Sequence, residues 1–149
     1  VRRFLYDTAI FSYAFGGEHR YREPSRAIVR QATGGTLRGE ASADLIQEFA
    51  NQRLRRGGDR DGAAAAARDV AKLVRLHPLE PDDALLGVDL FEANPRLDAR
   101  DAVFAAVALN RGIDAILSTD HAFDEVRGLE RIDPANEQAI AALTGQLKS

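Results

Sequence analysis

Ile113-Asp114-Ala115-Ile116-Leu117-Ser118-Thr119-Asp120 holds a short apolar run that ends on two hydroxyl residues and an aspartate. A run of this length, opened by Gly112, reads as a buried strand. Near the start of the chain, Phe4-Leu5-Tyr6-Asp7 repeats the pattern: apolar residues, then an aspartate. Between these two strands the pattern is mainly helical. Helices are expected over Ile10–Ala14, Ser25–Ala32 (with Pro24 in the first turn), a long segment from Ser42 as N-cap to Gly57-Gly58, and about Gly62–Leu76. Pro78-Leu79-Glu80-Pro81 is too proline-rich for a central strand, and Pro81-Asp82-Asp83 opens a further helix towards Asn94-Pro95. Asp98 caps the helix that carries Val103, Phe104, Val107, Ala108 and Leu109. Thr36–Ala41 is a weaker strand, Arg131-Ile132 a last one, and Glu137–Leu147 a terminal helix. Strands alternating with helices require crossovers. The expected fold is therefore α/β, a mostly parallel central sheet with helices on both faces. Ligands of such sheets bind beyond the carboxyl ends of the strands.

Composition narrows the chemistry. The 149 residues form one domain's worth of chain, and no linker, repeat or low-complexity tail divides 1–149. Hydrophobic residues at 45% and charged ones at 29% suit a globular chain rather than a disordered one. Cysteine is absent, which removes disulfides, thiolate metal sites and a cysteine nucleophile together. No apolar run approaches a membrane span and no signal-peptide core is seen, so a cytoplasmic protein without membrane contact is expected. With 20 Lys+Arg against 23 Asp+Glu, the formal charge of −3 argues against nucleic-acid binding by bulk positive charge alone.

The placement of the acids carries more. Asp7 and Asp120 end two strands, and in one parallel sheet they emerge at the same edge. Asp101 lies in the first turn of its helix, on the face of Asp98. Glu48 lies one turn beyond Asp44, beside the apolar Leu45 and Phe49. Singly, each has an ordinary structural explanation: a cap, a helix-dipole partner, a turn or a solvated face. Together they are four acids that a parallel sheet would gather, with no thiol near. An all-oxygen cluster suits Mg²⁺ or Mn²⁺ rather than zinc.

Phe4-Leu5-Tyr6-Asp7-Thr8-Ala9, Ser42-Ala43-Asp44-Leu45-Ile46-Gln47-Glu48, Leu97-Asp98-Ala99-Arg100-Asp101-Ala102-Val103-Phe104-Ala105-Ala106 and Ile116-Leu117-Ser118-Thr119-Asp120-His121-Ala122-Phe123 resemble the four motifs of PIN-domain ribonucleases. More narrowly, the layout is similar to the VapC toxins of bacterial type II toxin–antitoxin pairs. The resemblance implies a PIN-like fold and an acidic quartet, Asp7, Glu48, Asp101 and Asp120, that holds Mg²⁺ (or Mn²⁺) and does the catalysis. It assigns supporting roles to Ser118, Thr8 and Asp124. Ala9 stands where the family often has Asn or Ser, and Ser118 where threonine is commoner; neither change removes a carboxylate. The implied activity is metal-dependent hydrolysis of RNA, whether tRNA, rRNA or mRNA. The implied partners are a cognate VapB-like antitoxin and a second copy of the chain. Arg53, Arg55, Arg56 and Arg60, with a second group at Arg20, Arg22, Arg26 and Arg30, are candidates for phosphate contact.

Other readings fit less well. A phospho-receiver needs paired acids at the first strand, and a dehalogenase-type phosphatase needs an acid where Ala9 stands. No GxxxxGK[S/T], GxGxxG or G-x-S-x-G is present. The alternative kept is a degenerate PIN-like module that binds RNA or protein without cutting.

Overall fold

A computed structural model describes residues 2–144. Five strands, β1 (Leu5–Tyr6), β2 (Gly39–Ser42), β3 (Val74–His77), β4 (Ala115–Leu117) and β5 (Glu130–Ile132), form one sheet in the order β3-β2-β1-β4-β5. Every pairing is parallel. Among the described residues seven helices accompany them: α1 (Thr8–Ala14), α2 (Arg22–Thr33), α3 (Leu45–Arg55), α4 (Arg60–Leu73), α5 (Pro81–Ala93), α6 (Ala99–Asn110) and α7 (Glu137–Leu143), with a 3₁₀ turn at His121–Glu125. Every residue of β1, β2 and β4 is buried, as expected of strands covered on both faces. No helix among the described residues is long and apolar enough to cross a membrane.

The expected α/β fold is thus present, with local differences. The helix anticipated over Gly62–Leu76 stops at Leu73, and Val74–His77 becomes β3. Nothing in Lys72-Leu73-Val74-Arg75-Leu76 breaks a helical reading; the switch comes from pairing in register with all of β2. Ser42 ends β2 and is not the cap of α3, whose N-cap position is Asp44; the Ser42 hydroxyl instead bonds the Asp44 carboxylate. The expected Thr36–Ala41 strand is displaced to Gly39–Ser42. Leu147, where the terminal helix was expected to end, lies outside the described residues.

Two charged networks fix the frame. In β2 the buried Glu40 carboxylate takes both Arg3 Nε and Nη2 at 2.8 Å and faces His77 Nε2 on β3 at 2.6 Å. The Arg3 bonds outweigh burial and, with His77, hold Glu40 down at about 2. A carboxylate held below its unfolded value stabilises the fold above about pH 4.5 and loses that contribution as pH falls towards 2. The second network joins α5 to α6. Arg111 bonds both Asp83 oxygens at 3.0 Å, the Pro78 carbonyl at 2.8 Å and the Val107 carbonyl at 3.0 Å.

Gly39 opens β2 against the rings of Phe4 and Tyr6. A Cβ there would lie 2.1 Å from Tyr6 Cε2 and 2.6 Å from Phe4 Cε2, inside two rings that are themselves fully buried. Gly39→Ala is therefore expected to destabilise by about 1–3 kcal/mol through overpacking, read as a lower midpoint in urea unfolding. An unchanged midpoint would show that the rings have room to move.

Candidate functional site

The sheet order brings the ends of β1 and β4 side by side, with Tyr6 opposite Leu117. Asp7 follows the one strand and Ser118-Thr119-Asp120 the other. The N-terminal turn of α6 brings Asp98 and Asp101 to the same place, and the first turn of α3 brings Glu48. A cavity of about 430 Å³ opens there, lined by Asp7, Glu48, Asp98, Asp101 and Asp120 with Thr8, Thr119 and the α1 and α3 side chains opposite. Its wall is overwhelmingly polar, unlike a larger cleft of about 500 Å³ between α2 and α7, which has no cluster of acids.

Each acid is anchored differently. Asp7 is buried, and the Ser118 hydroxyl donates to its Oδ2 at 2.6 Å. The same Ser118 Oγ accepts the Asp120 N–H at 3.0 Å, so one hydroxyl ties the two strand-end aspartates together. Asp120 Oδ1 accepts from Ala122 N–H at 2.9 Å, capping the 3₁₀ turn. Glu48 takes the Thr8 hydroxyl at 2.7 Å and meets Arg100 at 3.4 Å. Asp98 accepts the Asp101 N–H at 2.8 Å and is the N-cap expected of it, while also facing the cavity. Asp101 itself has no cation within ion-pair distance among the described residues.

The result is an acid cluster only partly compensated, since Arg100 meets Glu48 while Asp7 and Asp101 have no ion pair among the described residues. Burial pushes Asp7 up to about 7; Ser118 pulls it down, and Glu48 and Asp120 raise it further. Burial likewise pushes Asp101 up to about 8, helped by repulsion from Asp7, Asp98, Asp120 and Glu48. Carboxylates this reluctant to ionise together are relieved by a cation or by protons. The donors are all oxygen, and none of the three histidines lines the cavity, which suits a hard divalent ion. The acids line a wall rather than close a finished cage: among the described residues no three His, Asp or Glu groups already converge as a ready ligand set.

Of the residues singled out from sequence, Asp7, Thr8, Glu48, Asp101 and Asp120 come together, with Ser118 directly behind Asp7 and Asp120. Asp124 does not line the cavity; its carboxylate is bonded by Arg131 Nε at 2.8 Å and His121 Nδ1 at 3.0 Å. Arg53, Arg55 and Arg56 diverge. Arg53 donates to the Phe15 carbonyl at 2.7 Å, Arg55 is exposed, and Arg56 lines the cavity. Sequence reading missed Ser12, Tyr13 and Gln52 on the wall. Two of these are spaced four residues from Thr8 and Glu48, a helical interval that would have found them.

Comparison with known proteins agrees with this arrangement. The PIN domain family matches residues 4–129. Ribonuclease VapC7 of Mycobacterium tuberculosis is 37% identical over 130 residues, covering 86% of this chain and 89% of that protein. The crystal structure of VapC20 from the same species, a toxin described as cleaving the sarcin-ricin loop, superposes with a TM-score of 0.64 at 18% identity, over 79% of this chain and 90% of that one. The DNA-bound VapBC structure from Salmonella typhimurium gives a TM-score of 0.65 at 16% identity, over 91% and 100%. With its sheet order, its gathered acids and a family match that runs over most of its length, this chain belongs to the PIN domain family, among the VapC ribonucleases.

Proposed function

We propose that this protein is a divalent-metal-dependent endoribonuclease and the toxin of a toxin–antitoxin pair, with Asp7, Glu48, Asp101 and Asp120 as its catalytic, metal-holding acids. The observation that carries the reading is the cluster of acids on one cavity wall, whose Asp7 and Asp101 are driven up to about 7 and 8. Mg²⁺ or Mn²⁺ bound there would supply Lewis acidity at a phosphate oxygen and a bound water of lowered pKa. The chain's own residues do the rest. Ser118 keeps Asp7 and Asp120 in one orientation, and Thr8 and Arg100 hold the Glu48 carboxylate against rotation. Relatives named as ribonucleases and structural neighbours solved as VapBC complexes support the RNA substrate and a VapB-like antitoxin.

The deciding assay is cleavage of end-labelled single-stranded RNA with Mg²⁺ and with EDTA. Cleavage with Mg²⁺ that EDTA abolishes is expected; no cleavage of any RNA would favour the non-cutting module. Ser118→Ala tests the supporting hydroxyl. Losing its bond raises Asp7 further, so the acid limb of the pH–rate profile should move to higher pH. The rate at neutral pH should fall about 10–100-fold, as for other residues that orient ligands. Ser118→Thr, which keeps the hydroxyl, should retain activity.

A homodimer belongs to the same proposal. Leu85, Val88 and Phe91 stand out from one side of α5 with 67%, 62% and 50% of their surface exposed. Stripes of this kind pair with themselves across a twofold axis. Light scattering should give a dimer for the parent and a monomer for Phe91→Asp; a monomeric parent overturns it.

A further inference from the structure

A second cavity of about 280 Å³ adjoins the acid site and shares Ser12, Tyr13 and Arg56 with it. Its other wall is the α1–α2 loop, Gly16 to His19. We propose that this cavity is a nucleotide subsite: a base next to the scissile phosphate stacks on the Tyr13–His19 ring pair while Arg56 bonds the connecting phosphate. The inference rests on the RNA-cleavage reading and adds to it where the strand lies.

Three observations carry it. First, the rings form a prepared surface. His19 stacks on Tyr13 with centroids 4.4 Å apart at 23° and on Tyr21 at 5.8 Å and 24°. The Tyr21 N–H donates to His19 Nδ1 at 3.2 Å, which fixes the imidazole, and Arg20 lies 4.8 Å over the Tyr21 ring. His19 is nevertheless exposed, so this ordered stack of rings stands open to solvent. Flat rings held this way accept any base, at about 1–3 kcal/mol per base.

Second, Arg56 is a cation without a carboxylate partner among the described residues, on the shared wall of the two cavities. Beside so many carboxylates a free guanidinium is unusual, and a fork of N–H donors suits a phosphate. Third, the loop keeps its backbone bare. Gly17 faces open space, and a Cβ on Gly16 would lie 2.7 Å from the Ser12 carbonyl and 3.7 Å from Arg56 Nη1. A chain passing from the acids to the rings meets glycine backbone and one guanidinium, with the exposed Glu18 as the one carboxylate on this second wall.

The test measures binding, so it does not depend on turnover. Fluorescein-labelled rA8, and the same strand with one abasic residue walked through it, are titrated by anisotropy against Asp101→Asn protein and against the same protein carrying His19→Ala. His19→Ala should weaken binding of rA8 by about 5–150-fold, the span of one stacked base. The penalty should vanish on one abasic strand, and His19→Phe should restore binding. Arg56→Ala should weaken every strand alike and lower the salt slope by about one. Equal effects of His19→Ala on all strands, no effect on any, or no binding of rA8 would each overturn the subsite. Failure of the parent to cut RNA with Mg²⁺ would instead overturn the reading beneath it, a result this titration does not share.

Discussion

Asp101→Asn is expected to reduce Mg²⁺-dependent RNA cleavage by about a hundredfold or more, and yet to make the metal-free protein more stable at pH 8. The first effect follows from removing a carboxylate from the acid cluster, where altering even residues that merely orient ligands costs about 10–100-fold. The second follows from its pKa. Asp101 is driven up to about 8 by burial and its acidic neighbours, against an ordinary value of 3.8. The folded state therefore holds more protons than the unfolded state between these values. Metal-free parent should lose stability as pH rises from about 4 to about 8, and the asparagine variant should lose less. The gain at pH 8 is on the order of a few kcal/mol, because one pKa unit corresponds to about 1.4 kcal/mol. Thermal melts at pH 5, 6.5 and 8, with EDTA and with Mg²⁺, give the comparison. Mg²⁺ should raise the parent's melting temperature most at pH 8, where protons no longer compete, and do little for the variant. A variant that cuts at the parental rate would remove Asp101 from the mechanism. Parallel pH profiles would mean that its charge is already compensated.

Arg111→Leu should be the most damaging single change far from the acids. It leaves Asp83, only 1% exposed, buried without its guanidinium and strips a donor from the Pro78 and Val107 carbonyls. Burial would raise Asp83, but Arg111, Asn110 and the Glu80 N–H together hold it below its ordinary value. Breaking such a pair costs about 3–5 kcal/mol, a large part of the 5–15 kcal/mol that holds a domain together. Urea unfolding measures it. Replacing both partners, Arg111→Leu with Asp83→Leu, should recover much of the loss because no charge is then stranded. Recovery should stop short of the parent, since Asp83 also caps α5 by accepting the Glu80 N–H at 2.9 Å. A single variant as stable as the parent would show that water reaches Asp83.

What could be read from the sequence divides along physical lines. β1 and β4 were legible because an apolar run ending in an aspartate states both strand and site. Asp7 and Asp120 were legible for the same reason, whereas Asp98, Asp101 and Glu48 were legible from helix starts and helical spacing. β3 was not, because Val74-Arg75-Leu76-His77 has no breaker before it and becomes a strand only through β2. β2 itself hides a charge, Glu40, whose partners Arg3 and His77 lie 37 residues away on either side. Arg53, Arg55 and Arg56 look equivalent in a list of residues. Only packing separates a guanidinium bound to the Phe15 carbonyl from one that faces the acids. Neighbouring spacing carries local geometry, and the partner of a buried charge is a tertiary fact.

The central position of β1 bears on timing during synthesis. Its neighbour β4 emerges late: Ser118, which grips Asp7, is 111 residues downstream. At about 5–20 residues per second, the ribosome leaves Asp7 waiting roughly 6–22 s for that contact. Until then the first strand has only β2 beside it, and Asp7, Glu48 and the later acids remain apart. The four acids can therefore meet only after Asp120 has been added, 113 residues beyond Asp7, and until then the growing chain carries them apart.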